Sequence, residues 1–91
     1  MLEKEIESYL IKRVKEIEGL SYKWLSTVTG VPDRILIHRG KVHLVEVKTA
    51  KGVVSARQTI VFNEIMAKGV SVTIVKSKSD VENLIENMLK M

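Results

Sequence analysis

The chain has 91 residues, 45% of them hydrophobic, and a formal net charge of +4 at pH 7. This length predicts one domain with a modest core. A chain of this size buries only about two-thirds of its unfolded surface on folding, so it is a candidate for dimerisation. The positive charge favours an anionic partner such as nucleic acid. The absence of cysteine excludes disulfides and cysteine-based zinc sites, no apolar run approaches the ~20 residues of a membrane span, and the acidic N-terminus excludes a signal peptide.

Apolar residues at steps of three and four predict a first helix over residues 2–18. The apolar positions are Leu2, Ile6, Leu10, Val14 and Ile17. Gly19 is placed to form the C-cap of this helix. Glu3 and Glu7 lie four residues apart on one helix face. Because Glu7 borders the apolar stripe, it could face the buried side or pair with a helical lysine in solvent.

A short strand is predicted within residues 21–29, where Tyr22, Trp24 and Val28 alternate with polar residues. We expect Trp24 to pack in the core, and base stacking is the alternative. A loop then leads to Pro32, which enters the next strand at its first residue, where a proline is tolerated.

Two apolar runs in the middle of the chain predict a β-hairpin. They cover residues 35–38 and 42–48 and flank a turn around Gly40. The second run is apolar at nearly every position, which is typical of a strand covered on both faces, as in an α/β sandwich. His38 and His43 lie near the turn, and we expect them to be surface residues and not metal ligands.

The hairpin brings three ionisable residues to one end. A two-residue turn at Arg39-Gly40 would place Asp33 opposite Glu46, and a turn at Gly40-Lys41 would place Asp33 opposite Lys48. Because side chains alternate between the faces of a strand, all three share one face in either register. Only an odd-length turn would separate them.

The second half of the chain predicts a helix over residues 55–68, a strand over residues 70–75 and a closing helix that starts with a capping box at Ser79. Ser55 and Gln58 have the spacing of another capping box, although Gln58 could instead face the hairpin. The resulting order of elements is α-β-β-β-α-β-α. A right-handed strand–helix–strand crossover and a mixed sheet with helices on both faces follow from this order.

Two carboxylates on one face of a hairpin can hold a divalent cation. Asp33 and Glu46 would supply the acids, and the backbone carbonyl of Val47 could supply a further oxygen, the ligand type that Mg²⁺ and Mn²⁺ favour. An ion there would activate a water and stabilise charge on a phosphoryl oxygen. Lys48 could orient that water or accept its proton. Alternatively, Glu46 and Lys48 form a simple salt bridge at an exposed strand end.

At these positions the sequence resembles the VRR-NUC family of the PD-(D/E)XK nuclease superfamily, in the short stand-alone form found in phages. The resemblance covers nearly the whole chain. It implies a single nuclease domain over residues 1–91, with an α/β, restriction-endonuclease-like αβββαβ core and a mixed central sheet flanked by helices. The matching segments are Glu3-Lys4-Glu5-Ile6-Glu7, Tyr22-Lys23, Gly30-Val31-Pro32-Asp33-Arg34, Val45-Glu46-Val47-Lys48, Ser55-Ala56-Arg57-Gln58 and Lys68-Gly69-Val70.

The resemblance also implies roles for individual residues in a metal-dependent nuclease. Asp33 and Glu46 would bind Mg²⁺ (or Mn²⁺), and Lys48 would be the catalytic lysine. Gln58 would be the polar residue that the family carries on the helix after the catalytic strand. A glutamate of the first helix completes the site in this superfamily, and we expect it to be Glu7, with Glu3 as the alternative.

The partners implied are DNA and a second copy of the chain. Small stand-alone relatives resemble Holliday-junction resolvases and act as homodimers, which suits a junction of two-fold symmetry. We therefore expect a structure-selective endonuclease for branched DNA, located in the cytoplasm (the host's, if the protein is phage-encoded) and without a membrane partner. Two alternatives are a non-catalytic DNA-binding module with the same fold and a small oligomeric structural protein. The candidate phosphate contacts are Lys23, Arg34, Lys51 and Arg57.

Overall fold

A computed structural model describes residues 1–90 and contains three helices and four strands in the order that the sequence predicts. The helices are α1 (Glu3–Glu16), α2 (Ala56–Ala67) and α3 (Lys78–Lys90). The strands are β1 (Leu20–Lys23), β2 (Arg34–His38), β3 (Lys41–Val47) and β4 (Ser71–Val75). No helix within residues 1–90 has the length and apolar character needed to cross a membrane.

The four strands form one mixed sheet in the order β1-β2-β3-β4. The first three strands pair antiparallel, and β3 pairs parallel with β4. The chain passes from β3 to β4 through α2, which is the crossover that parallel strands require. The predicted mixed sheet with helices on both faces is therefore confirmed.

The turn between β2 and β3 determines the register of the hairpin. His38 lies opposite Lys41, and Arg34 lies opposite Val45. Arg39 and Gly40 therefore form a two-residue turn, and both have positive φ angles, 50° and 78°. Positive φ at both central residues is typical of the tight turns that match the twist of a hairpin. Of the two registers considered, the structure has the one that places Asp33 next to Glu46.

The sheet separates two layers of helices. Val45 and Val47 point to the side of α1 and α3, whereas Glu46 points to α2 and contacts Gln58 there. All of residues 43–47 are buried, which explains why the sequence of β3 is apolar at nearly every position. The main core lies between the sheet and the α1–α3 layer and comprises Ile6, Leu10, Val14, Leu36, Val45, Val47, Val75, Val81, Leu84, Ile85 and Met88.

Helices α1 and α3 are also joined by a polar cluster. The guanidinium of Arg13 donates hydrogen bonds from Nε and Nη2 to the carboxylate of Glu82, at 2.7 Å and 3.0 Å. The hydroxyl of Tyr9 donates to the same carboxylate. These hydrogen bonds, those from Arg13 first, lower the pKa of Glu82 to about 2. Glu82 therefore stays ionised at neutral pH and holds the two helices together.

Two expectations about helix ends are wrong. Helix α1 ends at Glu16, and the residue with positive φ after it is Glu18, at 63°, not Gly19. A Cβ at position 19 would lie 2.9 Å from Cγ1 of Val14, so close packing explains this glycine. Helix α3 begins at Lys78, one residue before Ser79, and the hydroxyl of Ser77 accepts the N–H of Asp80 instead.

The expectation that the two histidines lie on the surface is also wrong. His38 is 5% exposed and His43 is 4% exposed. Both lie on the α1–α3 side of the sheet, the side to which Leu36 and Val45 also point. Nδ1 of His43 lies 3.3 Å from the hydroxyl of Ser71, and burial lowers the pKa of His43.

Candidate active site

Asp33 and Glu46 lie side by side at the open end of the hairpin. Asp33 directly precedes β2, and continuing the register from the Arg34–Val45 pair places it opposite Glu46. The backbone N–H of Val47 donates to Oδ2 of Asp33 at 2.9 Å, which ties the carboxylate to β3. Strand alternation directs the side chains of Asp33 and Glu46 to the same face of the sheet, the face that α2 covers.

Glu46 is a buried carboxylate with one unsatisfied oxygen. It is only 2% exposed. Oε2 accepts hydrogen bonds from Nζ of Lys48 at 3.0 Å and from Nε2 of Gln58 at 2.9 Å. Oε1 is buried and has no hydrogen-bond partner within the part of the chain that the structure describes. A buried charged oxygen without a partner is costly, so this position favours the approach of a cation.

The environment of Glu46 affects its protonation. Burial raises the pKa of Glu46, the hydrogen bond from Lys48 lowers it, and the negative charge of Asp33 raises it again. The net pKa shift is upward. A bound cation would reverse the balance, because an opposite charge within about 4–6 Å favours the ionised form.

Gln58 satisfies both of the roles that its sequence position left open. Its Oε1 accepts the backbone N–H of Ser55 at 3.0 Å, and its backbone N–H donates to the hydroxyl of Ser55 at 3.0 Å, which completes a capping box at the start of α2. At the same time its Nε2 donates to Glu46. The first turn of α2 therefore contacts the site directly, through the hydrogen bond from Gln58 to Glu46.

The loop that carries Asp33 packs against α2 through Gly30. This glycine has a φ of 99°, and a Cβ there would lie 3.2 Å from Cγ and O of Arg57 and from Cγ2 of Val61. Nε of Arg57 also donates to the carbonyl oxygen of Thr29 at 3.3 Å. Only a glycine allows this backbone angle and this close approach without strain. The Gly-X-Pro-Asp motif thus fixes Asp33 relative to the helix that carries Gln58.

A solved structure described as "VRR_NUC domain" matches this arrangement over nearly its full length. The two share a TM-score of 0.86 and 28% sequence identity, over 92% of this chain and 94% of that chain. This match confirms the resemblance to the VRR-NUC family that the sequence motifs indicate. The α/β fold of the chain, a four-stranded mixed sheet flanked by three helices, is the restriction-endonuclease-like fold that the sequence predicts. No family model matches the sequence, and no curated protein matches it.

The predicted first-helix glutamate contacts a different part of the hairpin. Oε2 of Glu7 lies 3.2 Å from Nη1 of Arg34, and Nε of Arg34 donates to the hydroxyl of Ser21 at 2.9 Å. Because Arg34 follows Asp33 in the chain, its side chain points to the α1 side of the sheet. The structure therefore brings Asp33, Glu46, Lys48 and Gln58 together on the α2 side of the sheet. Glu7 lies on the opposite side of the sheet, with Arg34. Glu3, the alternative, is exposed.

The four predicted phosphate contacts divide into two groups. Lys23, Lys51 and Arg57 are exposed. Arg34 is only 8% exposed and is held by Glu7 and Ser21, so the structure does not present it on the surface. This cluster could not be predicted from local patterns, since nothing in the spacing of positions 7, 21 and 34 indicates that they meet.

The residues around Glu46 fit a divalent cation. Within residues 1–90, no group of three or more histidine, aspartate or glutamate side chains could hold a metal ion. The protein would thus provide two carboxylates, Asp33 and Glu46. Mg²⁺ is usually bound in this way, by one or two carboxylates with waters and substrate phosphates completing its shell. The unsatisfied Oε1 of Glu46 is the observation that supports this fit.

Proposed function

We propose that this VRR-NUC domain is a Mg²⁺- or Mn²⁺-dependent endonuclease that hydrolyses phosphodiester bonds in DNA. One observation carries the proposal. Glu46, beside Asp33 on one face of the hairpin, is 2% exposed and keeps one carboxylate oxygen without a partner among residues 1–90, while Lys48 lies 3.0 Å from the other oxygen. Two acids and a lysine in this arrangement suit the hydrolysis of a phosphodiester, because the second oxygen of Glu46 is open to a cation.

In this proposal each residue of the site has a defined role. Asp33, Glu46 and the backbone carbonyl of Val47 would hold the cation, which would supply charge stabilisation at the scissile phosphate and a water of lowered pKa. The ammonium of Lys48 orients the attacking water and lies close to the charge that develops on the phosphate. Gln58 keeps Glu46 in place through its hydrogen bond of 2.9 Å to Oε2.

The exposed basic residues near the site are proposed to bind the DNA backbone. Lys51 lies in the loop after β3, and Arg57 lies in the first turn of α2 next to Gln58. Lys23 ends β1 on the other side of the Asp33 loop. Together with the net charge of +4, these residues support binding to DNA phosphates that weakens as the salt concentration rises.

We further propose that the substrate is branched DNA, such as a Holliday junction, and that the enzyme acts in the cytoplasm as a homodimer. The support comes from the small size of the domain and from exposed apolar residues near Trp24. Leu25 is 82% exposed and Val28 is 50% exposed. Apolar side chains grouped on a surface are typical of an interface, and a two-fold dimer would match the symmetry of a junction.

A cleavage panel tests the proposal. The protein is incubated with a four-way junction, a flap, a nicked duplex and an intact duplex, in Mg²⁺, in Mn²⁺ and in EDTA. We expect cleavage of the branched substrates only with a divalent ion. Asp33→Asn, Glu46→Gln and Lys48→Met should abolish cleavage and leave the fold intact by circular dichroism. Glu86→Gln is the matched control, because Glu86 is exposed and, among residues 1–90, forms an ion pair only with Lys90.

Other outcomes would change the assignment. Binding of the junction without cleavage under any metal condition would favour the non-catalytic DNA-binding module. A monomeric mass in solution, together with equal cleavage of duplex and junction, would refute the homodimer and the branched substrate but not the nuclease. Comparing Glu7→Gln with Glu3→Gln in the same assay tests the first-helix acid, and we expect the larger loss for Glu7→Gln.

A further inference from the structure

The capping box of α2 has one more polar contact than a helix start needs. In a capping box the two side chains satisfy backbone N–H groups at the helix start. Here Gln58 also donates from Nε2 to Oε2 of Glu46 at 2.9 Å. The backbone of Ser55 is thereby linked, through one side-chain amide, to a carboxylate of the proposed metal site.

We propose that Ser55 is a positioning residue whose backbone N–H fixes the orientation of the Gln58 amide, and thereby the orientation of Glu46. This inference rests on the proposed function, since it assumes that Glu46 binds a metal ion and that the hydrogen bond between Ser55 and Gln58 affects that binding. Ser55 is exposed, and its direct partner is Gln58, so it acts on the site only through that side chain.

The argument starts from the two ends of the Gln58 amide. One end, Oε1, can only accept hydrogen bonds, and the other, Nε2, can only donate them. The N–H of Ser55 is a donor and therefore selects Oε1, at 3.0 Å. Nε2 is then directed to Glu46, whose carboxylate is an acceptor. A rotation of the amide by 180° would place a donor against a donor at Ser55 and an acceptor against an acceptor at Glu46.

The orientation of Gln58 determines which carboxylate oxygen of Glu46 is open to a metal ion. Oε2 of Glu46 accepts from both Gln58 and Lys48, whereas Oε1 has no partner among the described residues. The carboxylate is therefore held by one oxygen and open at the other. Outer partners of this kind orient metal ligands, and their loss typically costs roughly 10- to 100-fold in metal affinity.

The serine offers two separable contacts for a test. Its hydroxyl accepts the backbone N–H of Gln58 at 3.0 Å and serves the helix, while its own N–H serves the Gln58 side chain. Ser55→Ala removes only the hydroxyl. Ser55→Pro removes both and places the ring Cδ where the N–H pointed, so Oε1 of Gln58 must move away, while the φ of Ser55, −68°, is one that proline adopts. The difference between the two variants therefore reports on the contact between the Ser55 backbone nitrogen and Oε1 of Gln58.

The experiment measures Mn²⁺ affinity by calorimetry on the full chain, together with kcat and KM on a junction. We expect Ser55→Ala to bind Mn²⁺ within about twofold of the unsubstituted protein and Ser55→Pro to bind roughly tenfold more weakly. The loss should appear in kcat more than in KM for DNA. In a Gln58→Ala background, Ser55→Pro should cause no further loss, because the coupling between the two positions is then absent.

Two results would overturn the inference. One is equal Mn²⁺ affinity in Ser55→Ala and Ser55→Pro, and the other is a full loss from Ser55→Pro in the Gln58→Ala background. If Ser55→Pro does not fold, hydrogen exchange of the Ser55 amide decides instead. Its protection should persist in Gln58→Glu, which keeps the acceptor, and disappear in Gln58→Ala; exchange that is equally fast in all three proteins refutes the contact.

Failure of the proposed function would give a different result. In that case the unsubstituted protein would bind no divalent ion and cleave no DNA, while the Ser55 amide would still be protected from exchange by Gln58.

Discussion

Replacing Gly30 with alanine is expected to lower both the stability of the domain and its proposed activity. The φ of 99° at Gly30 is unfavourable for alanine, and holding a residue in such a conformation costs about 1–3 kcal/mol. The added Cβ would also lie 3.2 Å from Arg57 Cγ, Arg57 O and Val61 Cγ2. Overpacking of this kind costs a further ~1–3 kcal/mol, a large share of the about 5–15 kcal/mol that stabilises a typical domain.

The effect on activity follows from the position of Gly30 in the chain. It is three residues before Asp33 and packs on the helix that carries Gln58, so relieving the clash moves the Asp33 loop away from α2. A displacement of about 1 Å in a reacting group can lower the rate roughly 100-fold. We therefore expect kcat on the preferred substrate to fall by at least about tenfold, with DNA binding little changed.

Gly40 supplies a matched control within the same chain. Its φ of 78° is also positive, but a Cβ at this position would have no neighbour within 4 Å. Gly40→Ala therefore shares the backbone strain of Gly30→Ala without the clash. Urea denaturation should show Gly30→Ala to be less stable than Gly40→Ala by about 1–3 kcal/mol, and only Gly30→Ala should lose activity. Equal stability of the two variants, or unchanged cleavage by Gly30→Ala, would refute the reasoning.

Three further predictions concern the core and the titratable groups. Leu36→Ala should cost about 2–5 kcal/mol in urea denaturation, because Leu36 is fully buried, whereas the exposed Val42→Ala should stay within about 0.5 kcal/mol. Hydrogen bonds from Arg13 hold the pKa of Glu82 at about 2, below its ordinary value of 4.5; the resulting stability is present above 4.5 and is lost as the pH falls toward 2. The urea midpoints of Glu82→Gln and the unsubstituted protein should therefore differ at pH 7 and converge in acid. Burial lowers the pKa of His43 below 6.5, so only the unfolded chain gains this proton as the pH falls from 6.5 toward that lower value. The domain should lose stability over this interval, and His43→Gln should flatten this part of the profile.

The order of the elements and the composition of the site face could be predicted from local patterns. Helical spacing, strand alternation and capping residues depend on neighbours within a few positions, and they placed all seven elements. The alternation of side chains along β2 and β3 put Asp33, Glu46 and Lys48 on one face before the turn was known. The spacing of Ser55 and Gln58 likewise predicted a capping box, which the structure contains.

Contacts between distant parts of the chain were beyond the reach of these patterns. The sequence allowed two registers for the hairpin, and the turn at Arg39-Gly40 selected one. The burial of His38, His43 and Arg34 depends on which helices cover that face of the sheet, and strand alternation alone says nothing about this. The partner of Glu7 was undecided for the same reason, because a helix can rotate on a sheet without any change in its own spacing.

For this protein, then, sequence alone determined which side chains share a face, since backbone geometry imposes that periodicity wherever a strand forms. Only the tertiary structure decided which of them meet, because the packing of α1 and α2 on opposite sides of the sheet sends Glu7 to Arg34 and Gln58 to Glu46.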